Sequence, residues 1–425
     1  MRAYPSIFFL ALAFFLFSPT VRDVRAIEYD LKITGTAYSA FFPEIESGPQ
    51  EDVVAFVQIK PDLALFLDDT WQAIIAPRFR LGVTDSEYNF VSFDDVYGEY
   101  IADQFEVRAG FQTYFWGAVE SFNIVDVLNQ KDYVIDFFEP KTNKIGEPAI
   151  RARMLVGEHR FEFYYFPYFT PANLPNKVNP LNPFEGRLDF SDDPFYTNAS
   201  KRLRQQFALR WDHTIGSADI GLAYFNGYER FPVINQAPGA MEADTLYYEM
   251  QQVSGDIQIS LGNWLLKGEV LYLNTGIAGS FASDSILPDG NVVRRDLVPD
   301  NLTAVVGGFE YTFFRVLGQS DLGVIVEYLY NSQQDRDAVG FRPFENDVFA
   351  ALRWSRNNPG DGELLAGLIL DVRNQTRLLR VEYEERFFDQ IKLEAIYEHI
   401  QAASEDPIAL LNNADRLAIQ LSYVY

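Results

Sequence analysis

Two segments between Phe105 and Met154 alternate strictly between charged and apolar side chains. The first is FEVRAGFQ at residues 105–112, and the second is AIRARM at residues 149–154. A period of two is that of a β-strand whose two faces meet different surroundings. The long connection between them begins with Trp116-Gly117 and then carries polar residues at a spacing of three, namely Asn123, Asp126, Asn129 and Asp132. This pattern predicts two strands joined by a partly helical loop whose polar groups lie along one side.

The same alternation recurs along the whole chain, which is rich in aromatic residues, with 37 Phe and 24 Tyr. No segment after the N-terminal region has the uninterrupted apolar length of a transmembrane helix. Short alternating segments separated by turn residues are typical of a transmembrane β-barrel. We place eighteen candidate strands, with sixteen as the alternative count. The predicted fold class is therefore all-β, a transmembrane antiparallel β-barrel with long extracellular loops and one inward-folded loop.

The connections between the candidate strands alternate in length. Short connections fall at 68–70, 102–103, 157–158, 215–217 and 261–262. Long connections fall at 113–146, 169–202, 227–244, 274–301, 331–345 and 400–413. Short turns on one rim and long loops on the other are the plan of an outer-membrane barrel, and a soluble sandwich has no reason to sort its loops this way.

The last ten residues form one more alternating strand that ends on an aromatic residue. Leu417, Ile419, Leu421, Tyr423 and Tyr425 share one face of it. An apolar face that ends in an aromatic at the membrane rim suits a lipid-facing closing strand. It also resembles the C-terminal signal that the assembly machinery of bacterial outer-membrane barrels reads. Lipid and this machinery are therefore expected partners.

The N-terminal residues predict export. Arg2 supplies a positive start, residues 7–17 are apolar but too short to span a bilayer, and residues 24–26 are a plausible cleavage site. We expect a signal peptide at 1–26, a barrel domain at 27–425, and location in the bacterial outer membrane. The chain has no Cys, which excludes disulfides and thiolate sites, and its net charge of −25 makes nucleic acid an unlikely partner.

The inserted loop and its surroundings resemble a known group of proteins. Trp116-Gly117, Asn123, Asp126, Asn129 and Asp132-Tyr133 are followed by EPAIR at 147–151 and FTPANLP at 169–175. This run is similar to porin-like outer-membrane proteins of Gram-negative bacteria related to alginate-export channels. The resemblance implies a channel and specifies no transported compound.

If the apolar face of each strand meets lipid, the charged residues of the other face line the lumen. An Arg or Lys facing lipid near the midplane costs ~2–4 kcal/mol, which makes lumen placement nearly obligatory. Strands 3 to 8 then contribute a basic wall of Arg78, Arg80, Arg108, Arg151, Arg153, Arg160, Arg204 and Arg210, with Glu99, Glu106, Glu162 and Asp212. Strands 10 to 17 contribute an acidic wall of Asp256, Glu269, Glu310, Glu327, Glu382, Glu384, Glu394 and Glu398, with Lys267, Arg353, Arg380 and Lys392. These charges either select solutes by a transverse field or pair with one another and stiffen the lumen.

The inserted loop carries its own acids, Glu120, Asp126, Asp132, Asp136 and Glu139. If it folds inward, these acids face the arginine wall and narrow the pore; otherwise the loop lies over the mouth. Its apolar residues need a surface to bury against, which favours the inward position. We expect Asp126 and Asp132 to lie opposite Arg108, Arg151 and Arg153. The second long loop, 169–202, carries five prolines and is predicted to form a stiff lid at the outer mouth.

An enzymatic barrel is the rival class. The three histidines are isolated at strand ends, and no nucleophile elbow or metal-binding spacing occurs in the sequence. We therefore expect no catalytic residues, no metal and no cofactor.

The sequence favours a passive outer-membrane channel for small polar or charged solutes. The alternatives are an exporter of an anionic polysaccharide, whose arginines would guide the polymer, and a plugged structural or adhesive barrel. The sequence leaves the solute and the oligomeric state open.

Overall fold

The barrel wall is one closed antiparallel sheet of eighteen strands. The computed structural model describes residues 27–45, 48–138, 141, 143–276, 282–286, 292–332, 344–403 and 406–425. The proposed signal peptide at 1–26 lies outside the described residues. The predicted fold class and the count of eighteen strands are confirmed.

We number the wall strands β1 to β18 in chain order. The first nine are β1 (Glu28–Phe41), β2 (Val53–Phe66), β3 (Trp71–Gly82), β4 (Phe90–Ala102), β5 (Phe105–Gln112), β6 (Glu147–Val156), β7 (His159–Phe166), β8 (Gln206–Ile215) and β9 (Ala218–Tyr228). The others are β10 (Glu249–Leu261), β11 (Trp264–Asn274), β12 (Leu302–Leu317), β13 (Ser320–Asn331), β14 (Asn346–Ser355), β15 (Glu363–Asp371), β16 (Arg377–Phe387), β17 (Ile391–Gln401) and β18 (Arg416–Val424).

The barrel closes by pairing its first strand with its last. β1 and β18 run antiparallel, with Thr34 opposite Val424 and Phe41 opposite Leu417. The start of β1 and the end of β18 therefore lie at the rim of the short turns, as an even number of strands requires. The long connections, including 113–146 and 167–205, all lie at the other rim. The predicted sorting of loops by length is confirmed.

The outer surface is an apolar belt, and the closing strand shows how it arises. Leu417, Ile419 and Leu421 each keep 49% of their surface exposed, whereas the intervening Ala418 keeps 1%. Successive side chains of a strand point to opposite faces, so one face of β18 meets lipid and the other the lumen. The predicted assignment of this strand's two faces is confirmed.

The connection at 113–146 folds into the barrel, as predicted, but its described residues form no helix. Val125 and Leu128 are fully buried within the barrel's main apolar cluster. The predicted helical turn is wrong because the polar side chains at the spacing of three bond to separate partners. Asn129, for example, receives the amide of Tyr114 and donates to the carbonyls of Gln112 and Ile145. Such bonds replace those of a helix backbone.

The second long loop, 167–205, lies against the inserted loop at the long-loop rim. Asn173 donates to the Asp132 carboxylate, and Asn179 donates to the carbonyl of Val134. Its two short strands, Asp189–Phe190 and Phe195–Tyr196, pair in parallel with Glu242–Tyr247 of the next long loop. Val233–Asn235 pairs with the same segment, and Ala282–Ile286 pairs with Val292–Asp296 in another loop. The predicted lid is therefore hydrogen-bonded to the inserted loop and to the long loop that follows it.

Helices contribute little to this chain. Three 3-10 turns occur in the described loops, at Ser86–Tyr88, Lys201–Leu203 and Pro407–Leu411. Across the described residues, none of the helical segments has the length and apolar character needed to cross a bilayer.

The closing strand offers a direct test of the lipid belt. We expect Ile419→Arg to reduce the folded, heat-modifiable form strongly, because a lipid-facing Arg near the midplane costs ~2–4 kcal/mol. Gln420→Arg is the matched control, since Gln420 points into the lumen and already contacts Glu394. The measurement is the folded fraction of each variant on unheated gels after refolding. Equal folded fractions for the two variants would contradict the assignment of faces.

Candidate functional site

The inserted loop is held across the lumen by the carboxylate of Glu269 on β11. One oxygen accepts the amides of Ala118 and Val119 at 2.7 and 3.2 Å, and the other accepts those of Ile124 and Val125 at 2.9 and 3.3 Å. Glu269 is 3% exposed. A buried carboxylate needs several hydrogen-bond donors, and buried backbone amides need acceptors. The Glu269 carboxylate and the four loop amides therefore satisfy one another.

A second wall carboxylate, Glu327 on β13, holds the segment between those two contacts. It accepts the amides of Glu120 and Ser121 at 2.5 and 2.9 Å. The side chain of Glu120 reaches onward to Arg353 at 2.8 Å and to Lys267 at 3.7 Å. Burial raises the pKa of Glu120, but the neighbouring cations outweigh it and hold the pKa below its ordinary value. Glu120 is therefore a charged tie to the acidic wall.

Gly117 allows the loop to come this close to Glu269. Its φ is +142°, a conformation that side chains rarely adopt. A Cβ at this position would lie 2.5 Å from Oδ1 of Asn123 and 2.9 Å from Oε1 of Glu269. The Trp116-Gly117 pair noted in the sequence therefore marks the point where the loop turns onto its anchor.

The other loop acids have separate partners. Asp126 pairs with Lys144 of the same loop at 2.7 Å, and Asp132 pairs with Arg80 of β3 at 2.7 Å. Burial lowers the pKa of Lys144, and the charge of Asp126 opposes this effect. These pairs tie the loop to itself and to the basic wall.

Asp136 reaches two cations on other strands of the wall. It contacts Arg380 of β16 at 2.8 Å and also Arg416 of β18. Although burial acts in the opposite direction, Arg380 and Arg416 lower the pKa of Asp136. Arg416 is 1% exposed and is also paired with Glu398 at 2.6 Å. The first residue of the closing strand is thus tied to the inserted loop.

The expected juxtaposition of Asp126 and Asp132 with Arg108, Arg151 and Arg153 differs from the structure. Arg153 lies 2.8 Å from Glu106 and 2.9 Å from Glu162, Arg151 contacts Glu106, and Arg108 lies 2.5 Å from Glu99. These acids lie on the same or adjacent strands, where side chains are within reach without any loop.

Three further arginines of the predicted site are also ion-paired. Arg78 lies 3.1 Å from Asp94, and Arg210 lies 2.8 Å from Asp256. Arg204 precedes β8 instead of lying on it, because its strand begins at Gln206; it pairs with Glu249 at 2.6 Å. Glu139 lies outside the described residues.

The inserted loop crosses the lumen. Its contacts reach many wall strands and include aromatic, cation–π and hydrogen-bond partners, namely Arg80, Tyr164, Arg210, Gln252, Glu269, Glu327, Phe349, Arg353, Arg380 and Arg416. Apolar wall residues such as Leu271 and Ile325 pack in the same cluster. The loop is therefore held from many sides of the barrel.

The half of the lumen nearer the short turns is a charged vestibule. Side chains there remain partly open to water, with Arg153 28% and Arg160 45% exposed on one wall, and Glu363 36% and Glu384 38% on another. β6 and β15 are half the ring of eighteen strands apart, so these two groups face each other across the barrel. The sequence predicts a transverse arrangement of charge, and these residues are the candidates for it at this level.

Sequence reasoning placed Glu269 and Glu327 in the lumen but missed their role as loop anchors. It also missed Arg416 and Arg230. Arg230 donates to the carbonyl of Val127 at 2.7 Å and lies over the rings of Phe166, Phe169 and Phe225. Only Gly117 indicated in the sequence that the loop backbone comes close to another group. Hydrogen bonds to backbone N–H and C=O groups cannot be read from residue types, because every residue carries these groups.

The histidines lie apart from the loop. The rings of His159 and His213 stack at 4.2 Å near the short turns, and His399 contacts Asp415. In the part of the chain that the structure describes, no three His, Asp or Glu side chains are grouped so as to hold a metal ion.

Comparison with known proteins supports the architecture. No protein-family model matches this chain, and no curated protein matches it. The solved structure of Pseudomonas aeruginosa OccD3 (OpdP) is 9% identical, with a TM-score of 0.53 over 93% of this chain and 91% of that one. P. aeruginosa OccK3 (OpdO) is 9% identical, with a TM-score of 0.51 over 99% of each chain. Escherichia coli Wzi, described as a carbohydrate-binding β-barrel, is 10% identical, with a TM-score of 0.52 over 92% of this chain and 84% of that one.

The closed barrel, its apolar belt and these structural neighbours define the class. The chain has the fold of a porin-like outer-membrane β-barrel. Nothing in the comparisons points to the alginate-export group in particular.

The Glu269 anchor can be tested by loop exposure. We expect Glu269→Gln to speed tryptic cleavage after Lys144 about tenfold, since losing ~1.4 kcal/mol of anchoring changes local opening by that factor, and one hydrogen bond to a charged group is worth ~1.5–3 kcal/mol. Lys144 is only 5% exposed, so its cleavage requires local opening of the loop. Glu394→Gln is the control, because the contacts of Glu394 are with Lys392 and Gln420. Cleavage at the same rate in both variants would show that Glu269 does not hold the loop.

Proposed function

We propose that this protein is a passive channel for small polar or charged solutes, and that the charged vestibule selects among them. The observation that carries the proposal is the pair of opposed, water-accessible charge groups on β5–β7 and β15–β17. Charges that served only to stiffen the wall would be expected to be buried in their pairs. Arg153, Glu363 and Glu384 instead keep about a third of their side chains open to solvent. A solute in the vestibule would therefore experience both fields.

All eleven residues predicted from the sequence remain candidates for the pore region, and exposure separates those that the structure describes. Arg108 and Arg153 are 27% and 28% exposed and can meet a solute directly. Arg80, Asp126 and Asp132 are nearly fully buried in ion pairs. We propose that the exposed arginines govern selectivity and that the buried pairs govern the position of the loop.

Export of an anionic polysaccharide is the second candidate, from the resemblance to alginate-export channels. The basic wall supports it only in part, because all eight arginines of that wall are ion-paired. A polymer carboxylate would have to compete with Glu99, Glu106 and Glu162 for them. A small solute would have to displace fewer of these carboxylates from the arginines than a polymer would.

A plugged structural barrel is the third candidate, and the loop favours it. Contacts of the inserted loop reach from β3 to β18, as described above. The loop would then be a permanent plug that closes the lumen, instead of a constriction that leaves it open. Conductance of the purified protein separates the two, because a plugged barrel passes no current.

We further propose that the protein carries out no catalysis. Its partners would then be outer-membrane lipid, a small polar or anionic solute, and the machinery that inserts it through β18.

The test of selectivity is the reversal potential in a planar bilayer across a salt gradient. We expect Arg108→Ala/Arg153→Ala to shift the channel toward cations, because it leaves Glu99, Glu106 and Glu162 in excess. Glu363→Gln/Glu384→Gln should shift it toward anions. One unit charge at ~10 Å in water contributes about 0.4 kcal/mol, which changes the local concentration of a monovalent ion about twofold. Both shifts should shrink at 1 M salt, where the Debye length is ~3 Å.

The control variant is Lys177→Ala/Arg187→Ala, which removes two exposed positive charges from the 167–205 loop, outside the vestibule. It should leave the reversal potential unchanged. Conductance with no shift in either vestibule variant would refute selection there, and absence of any conductance would refute the channel.

A further inference from the structure

Two histidines lie side by side on the outer face of the barrel wall, at the short-turn rim. His159 begins β7 and lies opposite His213 on β8, and their rings stack with centroids 4.2 Å apart. The next pair toward the midplane on the same face is Phe161 opposite Trp211. Phe161 keeps 41% of its surface exposed, whereas the intervening Glu162 is buried on the lumen side. The alternation of the strands therefore places both histidines on the face that meets lipid.

The hydrogen bonds of these histidines fix the positions of their protons. Trp211 donates its indole N–H to Nδ1 of His159 at 3.2 Å. An indole nitrogen can only donate, so this Nδ1 carries no proton, and a neutral His159 carries its proton on Nε2. Nδ1 of His213 lies 3.2 Å from the carbonyl oxygen of Glu158. A carbonyl can only accept, so Nδ1 of His213 is protonated, and in the neutral ring its Nε2 has a free lone pair.

The two Nε2 atoms therefore differ in character, since one is a donor and the other an acceptor. Among the residues that the structure describes, neither atom has a hydrogen-bond partner. A phosphate oxygen can accept from His159, and an ammonium can donate to His213. Glu158 is exposed at the adjacent turn, while Arg160 lies on the lumen face, paired with Asp212 at 3.0 Å. The outer face here has no excess of positive charge, which fits a zwitterionic head group better than an anionic one.

An apolar groove of about 650 Å³ runs across the outer faces of β5 to β10, next to the histidines. Its lining includes Phe161 and Trp211, whose ring centroids lie 6.2 and 6.0 Å from that of His159. Leu209 and Leu222 line it as well and are 50% and 52% exposed on the outer surface. An acyl chain can lie in this groove while its head group reaches the histidines, because the groove and the histidines share one face of β7 and β8.

We propose that the groove and the two histidines bind a phospholipid whose head group carries a phosphate and a primary ammonium. The phosphate accepts from Nε2 of His159, and the ammonium donates to Nε2 of His213. An acyl chain lies along Leu209 and Leu222. The site is on the outside of the barrel and does not depend on channel activity. A lipid held there ties this part of the wall to the leaflet at the short-turn rim.

The experiment uses the full protein in detergent micelles at about pH 8, where imidazoles are neutral. The probe is phosphatidylethanolamine that carries a diazirine in one acyl chain, and mass spectrometry locates the photo-adducts. We expect adducts in residues 152–163 and 209–224. Phosphatidylcholine with the same acyl chains should compete about tenfold less well than phosphatidylethanolamine. Its quaternary ammonium has no N–H to donate, and a hydrogen bond to a charged group changes an equilibrium by about that factor.

Two substitutions separate the roles of the histidines. His213→Phe keeps an aromatic ring but removes the acceptor, so the preference for phosphatidylethanolamine over phosphatidylcholine should disappear. His159→Phe removes the donor to phosphate, so the affinity for both lipids should fall about tenfold while the preference remains. His399→Phe is the matched control and should label normally, because this histidine lies at the opposite rim, where it contacts Asp415.

A further variant tests the groove itself. Ala152→Phe should strongly reduce labelling, because Ala152 lines the groove and the larger ring fills it. The folded fraction of every variant is measured on unheated gels. Equal competition by the two lipids on the unmodified protein would overturn the proposal. So would adducts spread evenly over the lipid belt, or a preference for phosphatidylethanolamine that persists in folded His213→Phe.

Discussion

The satisfaction of backbone amides inside the barrel is the constraint on which the rest of this structure depends. A loop that enters a lumen without forming a helix brings unpaired N–H groups into a space with little water. Two wall carboxylates solve this problem, because Glu269 accepts four amides and Glu327 accepts two. The loop can remain irregular, and so fit the lumen closely, because the wall supplies the acceptors that a helix would have supplied itself.

The charged residues of the wall fall into two groups at different depths in the barrel. Near the long loops they are buried and hold the loop, as the pair of Arg80 and Asp132 does. Near the short turns they pair with neighbours across the sheet but stay partly hydrated, as Arg153 and Glu384 do. The same residue types are thus buried at one depth and partly hydrated at the other.

The low stretch of wall at β5 to β7 is linked to the inserted loop. This loop leaves the sheet after Gln112 and returns at Glu147, so the strands on both sides of it are short. On the return, Gly146 passes so close to β4 that a Cβ there would lie 1.9 Å from the carbonyl oxygen of Phe93. The inward fold of the loop and the short strands on both sides of it are consequences of one local arrangement of the chain.

The sequence by itself determined the barrel, because alternation and loop length report directly on which solvent each side chain meets. All eighteen strands, the lipid face of 417–423 and the inward fold of 113–146 could be predicted in this way. It could not determine that Asp136 meets Arg416, since residues 280 positions apart become neighbours only when the barrel closes. It also suggested Asp126 and Asp132 as partners of Arg151 and Arg153, whereas the tertiary structure gave those arginines to Glu106 and Glu162. Periodicity encodes the face of a strand, but the partner of a charge depends on distances that only the closed fold defines.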